Sequence, residues 1–126
     1  MADERDDEQK LAQILLRDDR YSRDAYRFVQ EGLEYTVQRR GRRGHVMGRE
    51  LLDGLRDLAR DRFGLMARTV LNQWGVNATE DFGAIVFNLV DEQIISKQES
   101  DKLEDFINIY NFEETFDHDT LIQIEE

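Results

Sequence analysis

Apolar residues recur at helical spacing along most of this chain and predict a protein built mainly from α-helices. The clearest series lies between Gly48 and Ser96, where apolar side chains return every three or four residues. A stripe of this kind is typical of helices that bury one face. We interpret residues 48–74 as one long helix, bent at most near Gly64, and residues 79–93 as a second helix.

Residues that start and stop helices divide the rest of the pattern. The chain has no proline, so glycine, serine, threonine and asparagine must mark the boundaries. A short helix is expected over about residues 8–17. Ser22 is expected to cap a helix that runs to Arg39 or Arg40, and Thr79 to cap the helix that follows the long one.

Two short apolar stretches between these helices predict a small β element. Residues 45–47 and 94–96 are candidates for a minimal two-stranded ribbon. Ser96 and Glu99 have capping-box spacing, so a further helix is expected after them. The predicted fold class is therefore mainly α, a single-domain bundle of five to six helices with at most this ribbon. Such a unit is compatible with a winged-helix-like arrangement.

The length and composition predict one helical domain between acidic ends. A chain of 126 residues suits a single hydrophobic core. We expect an acidic disordered N-terminus at residues 1–10, the domain at 11–117 and an acidic tail at 118–126. No apolar run reaches membrane-spanning length, and the acidic N-terminus does not resemble a signal peptide. We therefore expect a cytoplasmic protein of bacterial type with no membrane partner.

Charge is distributed unevenly along the chain, whose net charge is −11. Residues 36–75 hold nine arginines and four acidic residues, whereas residues 76–126 hold two lysines and fourteen acidic residues. The overall acidity argues against broad affinity for nucleic acid. The predicted helix 79–93 has no basic residue, which makes it a poor recognition helix for the major groove of DNA.

The strongest candidate for binding chemistry is the run Arg-Arg-Gly-Arg-Arg-Gly-His at residues 39–45, which we expect to be a glycine-flexible loop. Four guanidinium groups in five positions suit bidentate contacts with phosphate or carboxylate. Three interpretations stay open: pairing with the acidic tail of the same or a neighbouring chain, docking to an acidic protein surface, and binding of nucleic-acid phosphate. The candidate contact residues are Arg39, Arg40, Arg42, Arg43 and His45.

No catalytic constellation is visible in the sequence. His45 and His118 are the only histidines, and neither has the Glu-x-x-His spacing of a di-iron bundle site. The chain has no cysteine, which excludes thiolate catalysis and disulfides. Phosphate-binding loops and dinucleotide fingerprints are absent as well. We therefore expect a protein that is not an enzyme and holds no cofactor or metal.

Acidic residues at regular spacing have a second interpretation. Asp53, Asp57 and Asp61 recur every four residues in the predicted long helix. A metal or acid–base role is conceivable, but the arginines interleaved with them favour a solvent-exposed face held by ion pairs. The Asp-His-Asp run at residues 117–119 is likewise expected to be a solvated turn rather than an ion site.

Aromatic residues near the arginine run are a further pointer. Periodicity alone does not assign every aromatic side chain to the core. Tyr26 and Tyr35 are candidates either for stacking on bases or for lining a protein interface. Ordinary core packing is the expectation for most of the others.

Motifs spread over the helical part of the chain carry one family resemblance. They occupy residues 25–36, 48–56, 62–71, 74–76, 79–90 and 110–114. Together they resemble a small conserved bacterial family of uncharacterised proteins, and the resemblance extends over about residues 11–117. It implies no activity, no cofactor and no catalytic residue. The acidic ends fall outside it.

These observations predict a binding or adaptor module rather than an enzyme. The expected contact surface is the loop at residues 39–43, and the expected partner is another protein or a second copy in a homo-oligomer. The alternative is a nucleic-acid- or ribosome-associated protein that uses the same basic loop.

Overall fold

The chain is mainly helical in the part that the structure describes. The computed structural model describes residues 4–41, 46–95 and 102–118. The α-helices in these ranges are α1 (Glu4–Arg17), α2 (Arg23–Arg40), α3 (Gly48–Phe63), α4 (Ala67–Gln73) and α5 (Thr79–Asp91). Two 3-10 turns and a π-helix complete the described elements: Gly64–Met66, Leu103–Phe106 and Glu113–His118. No strand occurs in the described ranges, and the predicted mainly α fold is confirmed.

The boundaries of α2 follow ordinary capping chemistry. Ser22 has an extended backbone, and its Oγ accepts a hydrogen bond from the Ala25 amide, as predicted for an N-cap. The helix ends at Gly41, whose φ of +70° suits the left-handed conformation of a helix terminus. Arg39 and Arg40 therefore form the last turn of α2, which confirms the predicted helix end at Arg39 or Arg40. The overlapping prediction that the loop begins at Arg39 is wrong.

The predicted single helix over residues 48–74 is broken at Gly64. This residue has φ +54°, a conformation that strains any residue with a Cβ atom, and a 3-10 turn follows before α4. The sequence does not show this break, because the apolar spacing continues across it. Ala67 and Leu71 on α4 extend the stripe of α3, and both are fully buried. Met66, which fits the same stripe in the sequence, is exposed.

The start of α5 differs from the prediction by one residue and by its chemistry. Ala78 is the N-cap position, and the Asp81 carboxylate accepts hydrogen bonds from the amides of Asn77 and Ala78 at 2.9 and 3.2 Å. Thr79 is the first helical residue and is fully buried. Its hydroxyl donates to the Phe106 carbonyl at 2.6 Å, so this threonine fastens a distant segment instead of capping its own helix.

The predicted β ribbon does not form at the positions that the structure describes. Met47 has an extended backbone, but it precedes α3 as its N-cap residue. The Ile94 amide donates to the Leu89 carbonyl at 2.9 Å, which is a helix-end contact and not a ladder bond. His45 and Ser96 lie outside the described residues. A winged-helix-like arrangement therefore has no described strand to support it.

The ends of the domain also differ from the expected elements. Helix α1 begins at Glu4, earlier than the predicted start near residue 8. The helix expected after Ser96 is represented in the described part only by the turn Leu103–Phe106. Residues 119–126 of the predicted acidic tail lie outside the described residues.

Helices α2 and α3 pack closely against each other at two glycines. A Cβ atom at Gly54 would lie 1.9 Å from Thr36 Oγ1, and one at Gly32 would lie 2.2 Å from Leu55 Cδ2. Thr36 turns its hydroxyl back to the Gly32 carbonyl at 2.7 Å, so its buried oxygen is hydrogen-bonded at this contact. The two backbones approach this closely because neither glycine has a side chain.

The core extends from this contact over α5 and the last described segment. Tyr110 donates its hydroxyl to the Leu52 carbonyl at 2.7 Å, and burial raises the pKa of this phenol above its ordinary value. Arg60 donates to the Thr115 carbonyl at 2.9 and 3.3 Å. These bonds hold the segment 102–118 against α3, with the side chains of Phe106, Phe112 and Phe116 buried beneath it.

A buried polar cluster ties the turn between α1 and α2 to α5. The Asn88 amide group donates to the Tyr26 hydroxyl and to Asp18 Oδ2, both at 3.0 Å, and Asn88 Oδ1 accepts from Arg17 at 3.3 Å. The hydrogen bonds from Arg20 hold the pKa of Asp18 well below its usual range, against the opposing effect of partial burial. Tyr26 is therefore a core residue and not a surface for stacking bases.

The close approach at Gly54 generates a prediction about stability. Gly54→Ala is expected to lower the free energy of unfolding by about 1–3 kcal/mol, since overpacking outweighs the helix propensity that alanine gains. Thr36→Ala removes the atom nearest to the new methyl group. The loss of unfolding free energy in the double variant should therefore be smaller than the sum of the losses in the two single variants, by more than about 0.5 kcal/mol.

Urea unfolding followed by Trp74 fluorescence measures all four chains of this mutant cycle. Losses that add within about 0.3 kcal/mol would show that residues 36 and 54 are not packed against each other.

Candidate interaction surface

The predicted arginine contacts divide into a described and an undescribed part. Arg39 and Arg40 lie in the last turn of α2, beside the first turns of α3. Arg42, Arg43 and His45 lie outside the described residues. The described part of the predicted loop is therefore its α2 end.

Arg39 is held by one aromatic ring and one carboxylate. Its guanidinium carbon lies 5.2 Å from the centre of the Tyr35 ring, one helical turn earlier, in cation–π geometry. Its Nη1 lies 2.6 Å from Asp57 Oδ2 on α3 and 3.4 Å from the Tyr35 hydroxyl. The side chain nevertheless stays 52% exposed, so a partner can reach it without unfolding the helix.

Asp57 is shared between two helices. Besides Arg39, it accepts a hydrogen bond from Arg56 Nε on its own helix at 2.9 Å. Partial burial works against its ionisation, but the guanidinium groups of Arg56 and Arg39 outweigh this effect and lower the pKa of Asp57 below its ordinary value. The carboxylate is thus the charged link between the end of α2 and the middle of α3.

In contrast to Arg39, which is half exposed, Arg40 is mostly buried between α2 and α3. Its side chain is only 13% exposed, and its Nη1 lies 3.6 Å from Glu50 Oε1 in the first turn of α3. The same oxygen of Glu50 accepts a hydrogen bond from the Met47 amide at 3.0 Å. Arg40 and Glu50 therefore connect the C-terminus of α2 to the N-terminus of α3.

An open pocket lies between these arginines and α3. Its volume is about 240 Å³, and its lining residues are Thr36, Arg39, Arg40, Glu50, Asp53 and Gly54. Guanidinium and carboxylate groups line it together, so it can receive a polar group that carries either charge or both. The glycine and threonine of the close helix contact form part of the same wall.

A second depression begins on the other side of Tyr35. It has a volume of about 180 Å³ and is lined by Glu31, Glu34, Tyr35, Gln38, Leu58 and Arg62. Arg62 pairs with Glu31 at 2.7 Å across this depression. The Tyr35–Arg39 pair therefore belongs to both depressions, with the ring lining one and the guanidinium group lining the other.

The aspartate row forms the ion-paired face that the sequence favours, at least at two of its members. Asp53 accepts from Arg49 Nε at 3.3 Å and from Arg56 Nη1 at 3.4 Å. Asp57 is bound by Arg56 and Arg39 as described above. Among the described residues there is no group of three or more His, Asp or Glu side chains that could hold a metal ion.

The Asp-His-Asp run at the end of the described chain makes an internal contact. Asp117 accepts hydrogen bonds from Arg68 on α4 at 2.6 and 3.3 Å. The side chain of His118 and the whole of Asp119 lie outside the described residues. The described member of this run thus fastens the chain end to α4.

Sequence reasoning missed the principal pairing of this surface. The spacing of Tyr35 and Arg39 by four residues is a helical contact that the sequence does contain, once both are placed in α2. The partner Asp57 lies on another helix, and periodicity does not give the rotation of one helix against another. Arg39 and Arg40 do pair with acids of the same chain, but these acids belong to α3 and not to the acidic tail that the sequence suggested.

Comparison with known proteins adds no relative. No protein-family model, no curated protein and no solved structure matches this chain. The resemblance to an uncharacterised bacterial family stays a prediction. None of the described helices combines the length and the apolar character that crossing a membrane requires.

The shared carboxylate generates a pH prediction. Asp57 has a lowered pKa in the folded chain, so it stabilises the fold above its unfolded pKa, and this contribution is lost as the pH falls through the folded pKa. Arg39→Ala is expected to raise the pKa of Asp57, because one of its two guanidinium partners is removed. Carboxyl-carbon NMR titration of the folded protein measures the shift.

Arg49→Ala is the matched control for this titration. It removes an arginine that contacts Asp53 and not Asp57 among the described contacts. If the pKa of Asp57 rose equally in both variants, the positive charge of the whole surface, and not the contact with Arg39, would be what lowers this pKa.

Proposed function

We propose that this protein is a non-enzymatic binding or adaptor module whose contact surface is centred on Arg39. The observation that carries the proposal is that Arg39 lies on the Tyr35 ring, half exposed, at the rim of an open pocket with charged walls. Arginine and tyrosine are enriched at the energetic centres of protein interfaces. Helix packing already orders both side chains, which lowers the entropy cost of binding.

The charges around Arg39 favour a protein partner over a nucleic acid. Glu50, Asp53 and Asp57 lie on the same surface and offset much of the positive potential of its arginines. Such carboxylates repel the phosphate backbone of a nucleic acid, whereas a protein can present basic and acidic groups in matching positions. We therefore propose a protein partner, or a second copy of this chain, with a mixed-charge surface.

The sequence beyond α2 supports a surface larger than the described part. Arg42, Arg43 and His45 follow Arg39 and Arg40 directly in the chain. A partner that contacts Arg39 is expected to meet these side chains as well. The alternative function, association with nucleic acid or the ribosome, draws its support from the same four arginines.

Site-specific photo-crosslinking tests this proposal in cells. A photoreactive amino acid at Gln38, an exposed position beside Arg39, is expected to form a discrete adduct with a protein. The matched control position is Gln73, which is exposed at the end of α4. The adduct should resist nuclease and should disappear in an Arg39→Glu chain. This substitution removes the ion pair with Asp57 and the contact with the Tyr35 ring, each worth up to about 1 kcal/mol of stability at an exposed site.

Arg68→Glu is the control for charge reversal, since it also breaks an arginine–aspartate pair, but on α4. The adduct should survive this substitution. No adduct above the Gln73 background would contradict the proposal. A nuclease-sensitive adduct at Gln38 would support the nucleic-acid alternative instead.

A further inference from the structure

Helix α5 is apolar around most of its circumference. Its inner side places Phe82, Ile85 and Leu89 fully in the core. Its outer side carries Ala84 and Phe87, which are only partly buried. A helix with this composition is normally enclosed on all sides, so its outer side is apolar surface that the described fold leaves partly open.

The 3-10 turn Leu103–Phe106 extends this apolar surface. Phe106 is fully buried, and its ring lies 6.3 Å from the ring of Phe87 in an edge-on contact. Leu103 at the start of the turn and Ile107 directly after it are less buried than Phe106, each with 50% of its surface exposed. We call the surface formed by Ala84, Phe87, Leu103 and Ile107 the α5 strip.

The rim of the α5 strip is acidic. Asp91 at the end of α5 and Glu104 in the turn are both exposed. The described residues 80–95 and 102–118 hold nine carboxylate side chains and one lysine, and no arginine. Arg17 and Arg68 of other helices pair with Glu92 and Asp117, so the acids exceed the bases around the strip without excluding them. The chemical complement of an apolar strip in a predominantly acidic field is an apolar stripe flanked by positive charges.

We infer that the α5 strip is a docking surface for a basic amphipathic helix of a partner protein. Binding of this kind inserts apolar anchors spaced three or four residues apart, while lysines or arginines beside them meet the acidic rim. The acidic rim of this surface differs from the mixed charges of the Arg39 region, and the strip is carried by other elements. This inference therefore goes beyond the proposed function and does not depend on it.

Segments of the same chain are poorer complements than a basic helix. Residues 96–101 read Ser-Lys-Gln-Glu-Ser-Asp and contain no apolar side chain. Residues 119–126 contain Leu121, Ile122 and Ile124, but they also hold three acids and no basic residue. The acidic rim of the strip would repel that segment.

A designed peptide tests the inference with the full chain. The probe is a synthetic peptide of leucine and lysine, long enough to form about four helical turns, with its leucines on one face. Fluorescence anisotropy measures its binding, and NMR shift changes should cluster at Ala84, Phe87, Leu103 and Ile107. Leu103→Ser with Ile107→Ser is expected to weaken binding at least about tenfold, which corresponds to about 1.4 kcal/mol.

A matched double variant controls for the loss of exposed apolar area. Leu65→Ser with Met66→Ser changes two side chains of similar exposure, 47% and 56%, in the turn between α3 and α4. This variant should bind the peptide as the unmodified chain does. The inference would be overturned if both double variants bound the peptide equally weakly. It would also be overturned if a scrambled peptide of the same composition bound as tightly as the designed one, because charge attraction alone would then explain the binding.

Two further outcomes would assign the strip to another occupant and so overturn the inference. The first is a dimer of the unmodified chain, seen by sedimentation, that the Leu103 and Ile107 substitutions dissociate. The second is peptide binding that appears only after residues 119–126 are deleted. Binding by the full-length monomer at the α5 strip supports the basic-helix partner.

Discussion

The contact between α2 and α3 is the constraint on which the rest of this structure depends. Gly32 and Gly54 let the two helices approach until side chains touch backbone, and Thr36 and Leu55 fill the remaining space. This contact fixes the rotation of α2 about its own axis. One face of the helix then enters the core with Tyr26 and Phe28, which are fully buried, while its last turn faces α3.

The surface chemistry follows from that rotation. With α2 fixed, Arg39 lies within reach of Asp57, and Arg40 lies close to Glu50. Arg39, Arg40 and Glu50 therefore both join the helices and line the charged pocket, while Asp57 holds Arg39 from outside the lining. A partner at this surface does not meet isolated positive charges, and its own groups must compete with carboxylates that are already in place. Such competition weakens non-specific attraction and favours partners whose charges match the arrangement.

Much of the fold can be predicted from the sequence, because the spacing of apolar residues shows which face of each helix is buried. The stripe of α5 predicts its buried side, and Ser22 predicts the start of α2 through local capping chemistry. Backbone conformation is harder to predict. The break at Gly64 depends on a positive φ that leaves the hydrophobic phase intact, so the pattern continues across it.

The candidate surface is less predictable, since it depends on contacts between distant parts of the chain. A run of arginines between glycines reads as a loop, yet α2 extends through Arg40 before Gly41 ends it. Thr79 is a residue type that often caps helices, but its hydroxyl donates to the Phe106 carbonyl, and the Asp81 carboxylate accepts from the two amides just before the helix. In both cases the sequence identifies a residue that makes a polar contact, but tertiary packing decides which group is its partner.

Native-state hydrogen exchange of α2 and α3 tests the central claim most directly. If their contact holds the molecule together, the amides of residues 29–37 and of residues 52–59 should exchange with one common opening free energy. That value should equal the free energy of global unfolding. Exchange of the α2 amides at a clearly lower free energy, with α3 still protected, would show that the rest of the fold stands without this contact.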